Sequence, residues 1–358
     1  MIVSGERARL TEVGWDRPLV HEVSDERLPD PTGDAVVVEV AACGVCHRDL
    51  LDRAGRFPFQ RVPITPGHEA AGRVVAIGPE VTSFRIGDRV GTMHRDACGQ
   101  CRSCLRGETS LCEGAGWVLG ILADGGYARH LVVPESALFP LARGLSDAEA
   151  AVMHCTFGTA YRDLKRLGGL EAGERVLITG ANGGVGVAAV QIAVRLGAEV
   201  VAAVRDERHR SLLLGLGAHQ VVVDAGDGLH KHRAVGRVDV ALDNVGAATF
   251  NAALRSLRIG GRIVVVGNIT PEKVALNLGY IITHGLTIRG GSGATRRDMA
   301  ELFALHEAAP LRVAIDRELP LARAEEAQRL VRAGGLSGRI VLIPGAPPPR
   351  HAPEAREP

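Results

Sequence analysis

The 358-residue chain is short of aromatic residues, of net charge and of long apolar runs. Lys and Arg total 42 against 41 Asp and Glu, a net charge of +1. That balance excludes a polybasic nucleic-acid binder, because phosphate contacts need a surplus of cations. The longest apolar runs, such as Val200–Val204, fall far below a membrane span, and Met1–Leu10 lacks a signal-peptide core. The chain therefore reads as soluble and cytoplasmic, with neither nucleic acid nor membrane as partner. Its length suits two domains, and no internal repeat is visible. Aromatics make up only 3%, whereas glycine is abundant at 45 residues. Without low complexity, that excess implies tight turns and close approaches of backbone to a ligand.

Cysteine is present in an odd number, seven, and in a cytoplasmic chain such residues read as metal ligands before disulfides. Cys98, Cys101, Cys104 and Cys112 fall within fifteen residues. Such spacing lets a loop wrap a tetrahedral ion, with thiolates about 2.3 Å from zinc. Two local disulfides or inert thiols are the alternatives, but a polar, glycine-containing loop gives four thiols no packing purpose. Four thiolates leave no opening for water, so this site is structural. Elsewhere, Cys46 precedes His68-Glu69 by twenty-two residues, and Cys155 lies far downstream. A Cys, His, Cys set would leave zinc a fourth position for water or substrate. Glu69 could act as an alternate ligand, and Asp49 could orient the His68 ring. Taken singly, these residues also read as a small core residue (Cys155) and a turn histidine (His68). Spacing alone leaves this second metal open.

Residues 1–150 show short β-like runs punctuated by glycine and proline, including Ala35–Ala42, Gly72–Ile77 and Asp88–Gly91. From about residue 157 strands alternate with helices. The strands are expected at Arg175–Thr179, Glu199–Val204, Gln220–Val223, Val238–Leu242, Arg262–Val266 and Leu286–Arg289. The helices are expected at Val187–Leu196, Asp206–Leu216 and Ala247–Leu257. That alternation predicts a doubly wound parallel sheet. A helix over Arg297–Ala308 and a strand over Arg339–Ile343 follow, and the five-proline tail Gly345–Pro358 is expected to be disordered.

Between the first such strand and helix stands Gly180-Ala181-Asn182-Gly183-Gly184-Val185-Gly186. This is the context a dinucleotide fingerprint requires, with Ala181 replacing the first glycine. Gly183 lets the backbone approach a pyrophosphate, Gly186 allows close helix–strand packing, and the helix amides face the phosphates. Nineteen residues past Gly186, where NAD-binding folds carry an acid, stands Arg205, followed by Arg208 and Arg210. Arginines there suit the 2′-phosphate of NADPH, while Asp206 keeps NADH open.

Together, Gly44-Val-Cys46-His47, Gly67-His68-Glu69, the four-cysteine loop, Gly125-Gly126-Tyr127-Ala128 and the glycine loop resemble the medium-chain dehydrogenase/reductase superfamily. The resemblance spans roughly residues 5–343. It implies an α/β protein with a GroES-like, mostly-β catalytic domain (1–156, completed by 295–344), a Rossmann cofactor domain (157–294) and a tail (345–358). It places catalytic zinc at Cys46, His68 and Cys155 with Glu69 nearby, and structural zinc at Cys98, Cys101, Cys104 and Cys112. Cofactor contacts are implied at His47, Thr159, Gly180, Ala181, Gly183, Gly184, Val185, Gly186, Arg205, Arg210, Asn244, Gly267 and Asn268. Cys43 matches no ligand position. Assembly as a homodimer or homotetramer through the last Rossmann strand is implied as well.

The default activity of such a chain is zinc-dependent alcohol dehydrogenase. In these enzymes the second residue after the first ligand cysteine is normally Ser or Thr, the first hydroxyl of a proton relay. Here it is Arg48, which has no proton to give at neutral pH. It could hold an anion or a thioester oxygen, or turn outward. Cys46-His-Arg48-Asp49-Leu-Leu51, Thr159-Ala-Tyr-Arg162, Gly260-Gly-Arg-Ile-Val-Val-Val-Gly-Asn268, Leu278-Gly-Tyr280 and Ser292-Gly-Ala-Thr-Arg-Arg-Asp298 are similar to the acryloyl-CoA reductase branch. That branch implies reduction of the C=C bond of short 2-enoyl-CoA thioesters by NADPH, with hydride going to the β-carbon. Arg296 and Arg297 could then meet CoA phosphates or simply be solvated.

Overall fold

The computed structural model describes residues 2–346 except 29, 115, 225, 227 and 271. It resolves into two compact units. One holds Met1–Cys101, Cys112–Val152 and the chain from Ile315, and the other holds Arg102–Leu111 with Met153–Ala314.

The first unit begins with an antiparallel hairpin of β1 (Ile2–Arg9) and β2 (Val20–Arg27). Its main sheet is organised on β3 (Ala35–Val45), whose valines Val36, Val38 and Val40 are buried. Cys46 then caps the short helix α1 (His47–Arg53), because its sulfur accepts the Arg48 N–H while Asp49 accepts the Cys46 N–H. β4 (Glu69–Ile77) pairs antiparallel with β3, setting Glu69 opposite Gly44, and β5 (Arg89–Thr92) pairs with β4. After helix α2 (Arg102–Leu105) come β6 (His130–Pro134), which pairs with β3, and β7 (Leu138–Pro140), which pairs with β5. The helix α3 (Asp147–Met153) runs on without a break into a π-helical turn, His154–Gly158.

In the second unit α4 (Thr159–Arg162) lies between that turn and another π-helical turn, Asp163–Leu167. The parallel strands follow: β8 (Arg175–Ile178), β9 (Glu199–Val204), β10 (Gln220–Val223), β11 (Val238–Asp243), β12 (Leu257–Val265) and β13 (Thr287–Gly290). Their spatial order is β10-β9-β8-β11-β12-β13, all parallel. Strand order therefore reverses between β8 and β11, the place where doubly wound sheets bind dinucleotides. The connecting helices are α5 (Gly184–Arg195), α6 (Arg210–Gly215), α7 (Phe250–Ser256) and α8 (Leu278–His284). After β13 comes α9 (Arg296–Ala308), capped by Thr295. Leu177, Val201, Val222, Ala241 and Ile263 give the sheet an aliphatic interior, each buried Leu, Val or Ile contributing about 1.5–3 kcal/mol. The chain then returns to the first unit through β14 (Ile315–Pro320), α10 (Ala324–Ala333) and β15 (Arg339–Ile343). β15 pairs antiparallel with β3, Leu342 facing Cys43.

Several elements depart from the sequence reading. The helix expected over Asp206–Leu216 is split, because the Asp206 carboxylate captures the Arg208 N–H at 2.9 Å and forces a 3₁₀ turn, Glu207–His209, before α6. β12 begins at Leu257, ahead of the expected Arg262, and the Gly260-Gly261 pair forms an irregularity inside it rather than a turn before it. The hairpin β1–β2 carries charge on successive residues, which hides its period. The expected tail lies outside the described residues beyond Ala346.

Candidate functional site

In the first unit, the α1 cap and the β3–β4 pairing bring three of the expected ligands together. Cys46, His68 and Glu69 are all buried, and each offers one ligand atom within 4.8 Å of the others. Asp49 organises them. Its Oδ1 lies 3.0 Å from His68 Nδ1, while Oδ2 accepts the Cys46 N–H at 2.8 Å and the Tyr127 hydroxyl at 3.0 Å. A carboxylate with two other donors on it accepts and does not donate, so His68 keeps a proton on Nδ1, and Nε2 is the nitrogen that can give up its proton to bind an ion. Burial and the Arg48 charge push the ring toward neutrality, but the Asp49 carboxylate outweighs them and lifts the His68 pKa to about 10. A divalent cation on Nε2 competes with that second proton, which couples metal binding to proton release. The donor set of a thiol, an oriented imidazole and a carboxylate fits zinc.

Arg339, which the sequence reading did not select, completes this centre. From the first position of β15 its Nη2 donates to Glu69 Oε1 at 2.9 Å and to Cys46 Sγ at 3.4 Å. The only sequence signal was a lone arginine heading an otherwise apolar, buried strand. Arg48 is tied inward, its Nε 3.1 Å from Asp52 Oδ2 and its Nη2 2.6 Å from the Leu119 carbonyl. The outward orientation allowed by the sequence is not the one adopted, and the side chain is 18% exposed. Burial lifts the Asp52 carboxyl to about 6 despite this partner. His47 is half-buried at the first position of α1. Cys43 is fully buried, and burial raises its thiol pKa, as for an inert core thiol.

The four-cysteine loop is built by its own backbone. The Cys98 N–H donates to Cys112 Sγ at 3.3 Å, the Cys101 N–H donates to Cys98 Sγ at 3.3 Å, and Cys101 and Cys112 sulfurs lie 3.9 Å apart. Amides aimed at sulfur stabilise thiolate, and no disulfide joins any of the seven cysteines. Cys104 follows on α2, and Cys155 occupies the π-helical turn after α3. π-turns of this kind recur at functional sites.

In the second unit the glycine loop joins β8 to α5. Gly183 is the extended residue before the helix, so the amides of Gly184, Val185 and Gly186 lie in its first turn without intrahelical acceptors. Gly186 cannot be replaced without movement, because an added Cβ would lie 2.3 Å from the Gly180 carbonyl and 2.6 Å from Ala181 Cα. Ala181 is fully buried and its N–H donates to the Ala203 carbonyl at 3.1 Å, a position where a methyl is accommodated. Asn244 follows β11, with its N–H on Thr179 Oγ1 at 3.1 Å and its Nδ2 on the Thr179 carbonyl at 2.9 Å. Gly267 follows β12 and donates to the Asp243 carbonyl at 3.1 Å, with Asn268 next in the chain. Thr159 is buried on α4. Arg205 is exposed directly after β9 and makes no hydrogen bond or ion pair among the described residues. Arg210, by contrast, is held by Glu207 and by the Val221 carbonyl at 2.8 Å.

Residues 32–143 match the family described as the alcohol dehydrogenase GroES-like domain, and residues 184–308 match that of zinc-binding dehydrogenases. Acryloyl-coenzyme A reductase of Sulfurisphaera tokodaii is 32% identical over 324 residues, covering 89% of this chain and 96% of its own. An alcohol dehydrogenase of Geobacillus stearothermophilus is 33% identical over 333 residues, covering 92% and 97%. The crystal structure of AibC matches with a TM-score of 0.88 at 37% identity, covering 96% of each chain.

Proposed function

The chain belongs to the zinc-containing alcohol dehydrogenase-like branch of the medium-chain dehydrogenase/reductase superfamily, and on that premise we propose that it is an NADPH-dependent enoyl-CoA reductase. Its substrates would be short 2-enoyl-CoA thioesters of the acryloyl, crotonyl or 3-methylcrotonyl type, saturated at the 2,3 double bond. The observation that carries the reading is Arg48. An arginine fixed by Asp52 and the Leu119 carbonyl stands where an alcohol dehydrogenase needs a hydroxyl to relay a proton. The name of the Sulfurisphaera relative supports the same chemistry.

Cys46, His68 and Cys155, with Glu69, would hold one zinc, and Cys98, Cys101, Cys104 and Cys112 a second. The α5 amides, Asn244, Gly267, Asn268, Thr159 and His47 would hold the dinucleotide, with Arg205 on its 2′-phosphate. When bound, zinc supplies a Lewis acid and the nicotinamide a hydride. The chain's own part is electrostatic. Arg339 pairs with Glu69, Asp49 orients the His68 ring, and Arg48, held by Asp52 and the Leu119 carbonyl, would stabilise negative charge on the thioester oxygen.

Purified protein is mixed with NADPH and crotonyl-, acryloyl- or 3-methylcrotonyl-CoA, and separately with aldehydes, following loss of the reduced cofactor's absorbance. Turnover of the thioesters is expected. Turnover of aldehydes alone rejects the reading in favour of an alcohol dehydrogenase, which the equally similar Geobacillus enzyme supports. Assembly through β13 completes the proposal. That strand is an exposed sheet edge, and Ile259, Leu278 and Ile282 in the same unit are 71%, 65% and 77% exposed.

A further inference from the structure

The second unit contains a buried ionic cluster that none of these roles uses. Arg162, the last residue of α4, is 3% exposed and all three of its nitrogens are engaged. Nε donates to Ser292 Oγ at 2.8 Å, Nη1 to Asp298 Oδ2 at 3.0 Å, and Nη2 to Glu108 of the four-cysteine loop. From the same loop, Ser110 Oγ reaches Ser292 Oγ at 3.3 Å. Asp163, next to Arg162, accepts the Ser292 N–H at 3.1 Å. Its other oxygen lies 2.7 Å from where a side chain on Gly291 would begin, so a larger residue there would displace Asp163. His154 Nε2 donates to the Ala294 carbonyl at 3.1 Å, and Thr295 is bonded to Asp298.

The contacts of Arg162 Nε, Ser110, Asp163 and His154 converge on one stretch, Gly291-Ser292-Gly293-Ala294. It has no regular secondary structure and two glycines, so unrestrained it would sample many conformations. It begins just past the carboxyl end of β13, and the Gly291 N–H bonds the Val265 carbonyl, at the end of β12, at 2.7 Å. Ligands of open parallel sheets sit outside the carboxyl ends of the strands. With the pyrophosphate at the α5 amides and Arg205 on the β9–β10 side, the β11–β13 side is left for the nicotinamide nucleotide. Burying a guanidinium among carboxylates adds little stability over an apolar cluster of the same size, so the arrangement is better explained by the geometry it fixes.

We propose that Arg162 is a positioning residue for the nicotinamide half of the cofactor, transmitting the placement of Glu108 and Ser110 through Ser292 to the Gly291–Ala294 segment. This rests on the nicotinamide-cofactor reading and is independent of the substrate. The test uses the full chain and measures equilibrium binding of NADPH, NADH and 5′-AMP to wild type, Ser292→Ala, Glu108→Gln and Arg162→Met. Ser292→Ala and Arg162→Met are expected to weaken both dinucleotides about tenfold while 5′-AMP, which fills only the adenosine half, changes less than about twofold. Glu108→Gln should move in the same direction by a smaller factor. The Glu108→Gln/Ser292→Ala double variant should lose less than the product of the single losses, because the two residues act in one chain. Ser292→Ala and Glu108→Gln remove only a hydroxyl and a half-exposed charge, so they keep the test valid if Arg162→Met does not fold. Equal losses for 5′-AMP and the dinucleotides, or unchanged dinucleotide affinity in the folded variants, overturn the proposal. Failure of wild type to bind any of the three ligands overturns the cofactor reading itself, and the proposal with it.

Discussion

Replacing Asp49 by asparagine conserves shape and removes only the charge and one acceptor, so it isolates what that carboxylate does. Asp49 is 1% exposed and takes three donors: His68 on Oδ1, and the Cys46 N–H and Tyr127 O–H on Oδ2. An amide has one oxygen and one NH2 group. With the NH2 toward Cys46 and Tyr127, two donors lose their acceptor, and at about 1.5–3 kcal/mol for each bond to a charged group that orientation costs about 3–6 kcal/mol. With the NH2 toward His68, one contact must reverse, which the ring manages by moving its proton from Nδ1 to Nε2. The substituted amide should therefore take the second orientation, and folding should weaken by only about 1–2 kcal/mol. The larger effect is on the metal, because the protonated Nε2 is no longer a lone pair. Loss of an outer hydrogen-bond partner of a ligand histidine typically lowers metal affinity about 10–100-fold. Wild type and Asp49→Asn are dialysed against graded chelator, and zinc per chain is measured beside thermal unfolding. A folded variant that releases zinc at the same chelator concentration as wild type refutes the tautomer argument.

Three further outcomes are expected. Arg205→Asp should shift the ratio of kcat/KM for NADPH over NADH toward NADH by about tenfold or more, since a charge-assisted phosphate contact becomes a repulsion, and an unchanged ratio removes Arg205 from cofactor selection. Cys112→Ser deletes the sulfur that accepts the Cys98 N–H, so metal analysis should fall from two zincs per chain to one with a lower Tm; two retained zincs would show that the loop is not a ligand set. Burial lifts the Asp163 carboxyl to about 7, so it binds its proton more tightly folded than unfolded. Its contribution is therefore most favourable below about pH 4 and is lost as pH rises to about 7, a fall on the order of a few kcal/mol. Denaturant unfolding across that range should flatten in Asp163→Asn, and an identical pH slope in both proteins would contradict the assignment.

What could be read from the sequence is what is encoded over short spans. The glycine loop announces itself because strand, Gly183, Gly186 and helix are consecutive, and the observed α5 and the clash at Gly186 follow from the same few residues. The β8–β13 sheet was legible because each buried parallel strand is a short aliphatic run. β12 was misplaced at its start because its aliphatic run begins only at Arg262, whereas Leu257 already pairs with Val238 of β11 on the far side of an irregularity in the register. The Cys98–Cys112 loop was legible for the same local reason. The residues that orient these groups are encoded differently. Arg339 meets Glu69 across 270 positions, and Arg162 meets Asp298 across 136. Neither arginine stands in a pattern that distinguishes it from the solvated majority, because an ion pair needs only two complementary charges and leaves the intervening sequence unconstrained. Arg48 shows the intermediate case. Its spacing from Cys46 marked it as unusual, but its anchors divide into Asp52, four residues along α1, and the Leu119 carbonyl, seventy-one residues away. Only the first could have been anticipated from helical spacing. The ligands of a site like this are thus set by local chain geometry, while their charge state and orientation are set by partners that folding alone brings near. For that reason the substitutions of Asp49, Ser292 and Glu108 test the chemistry more sharply than removal of a ligand does.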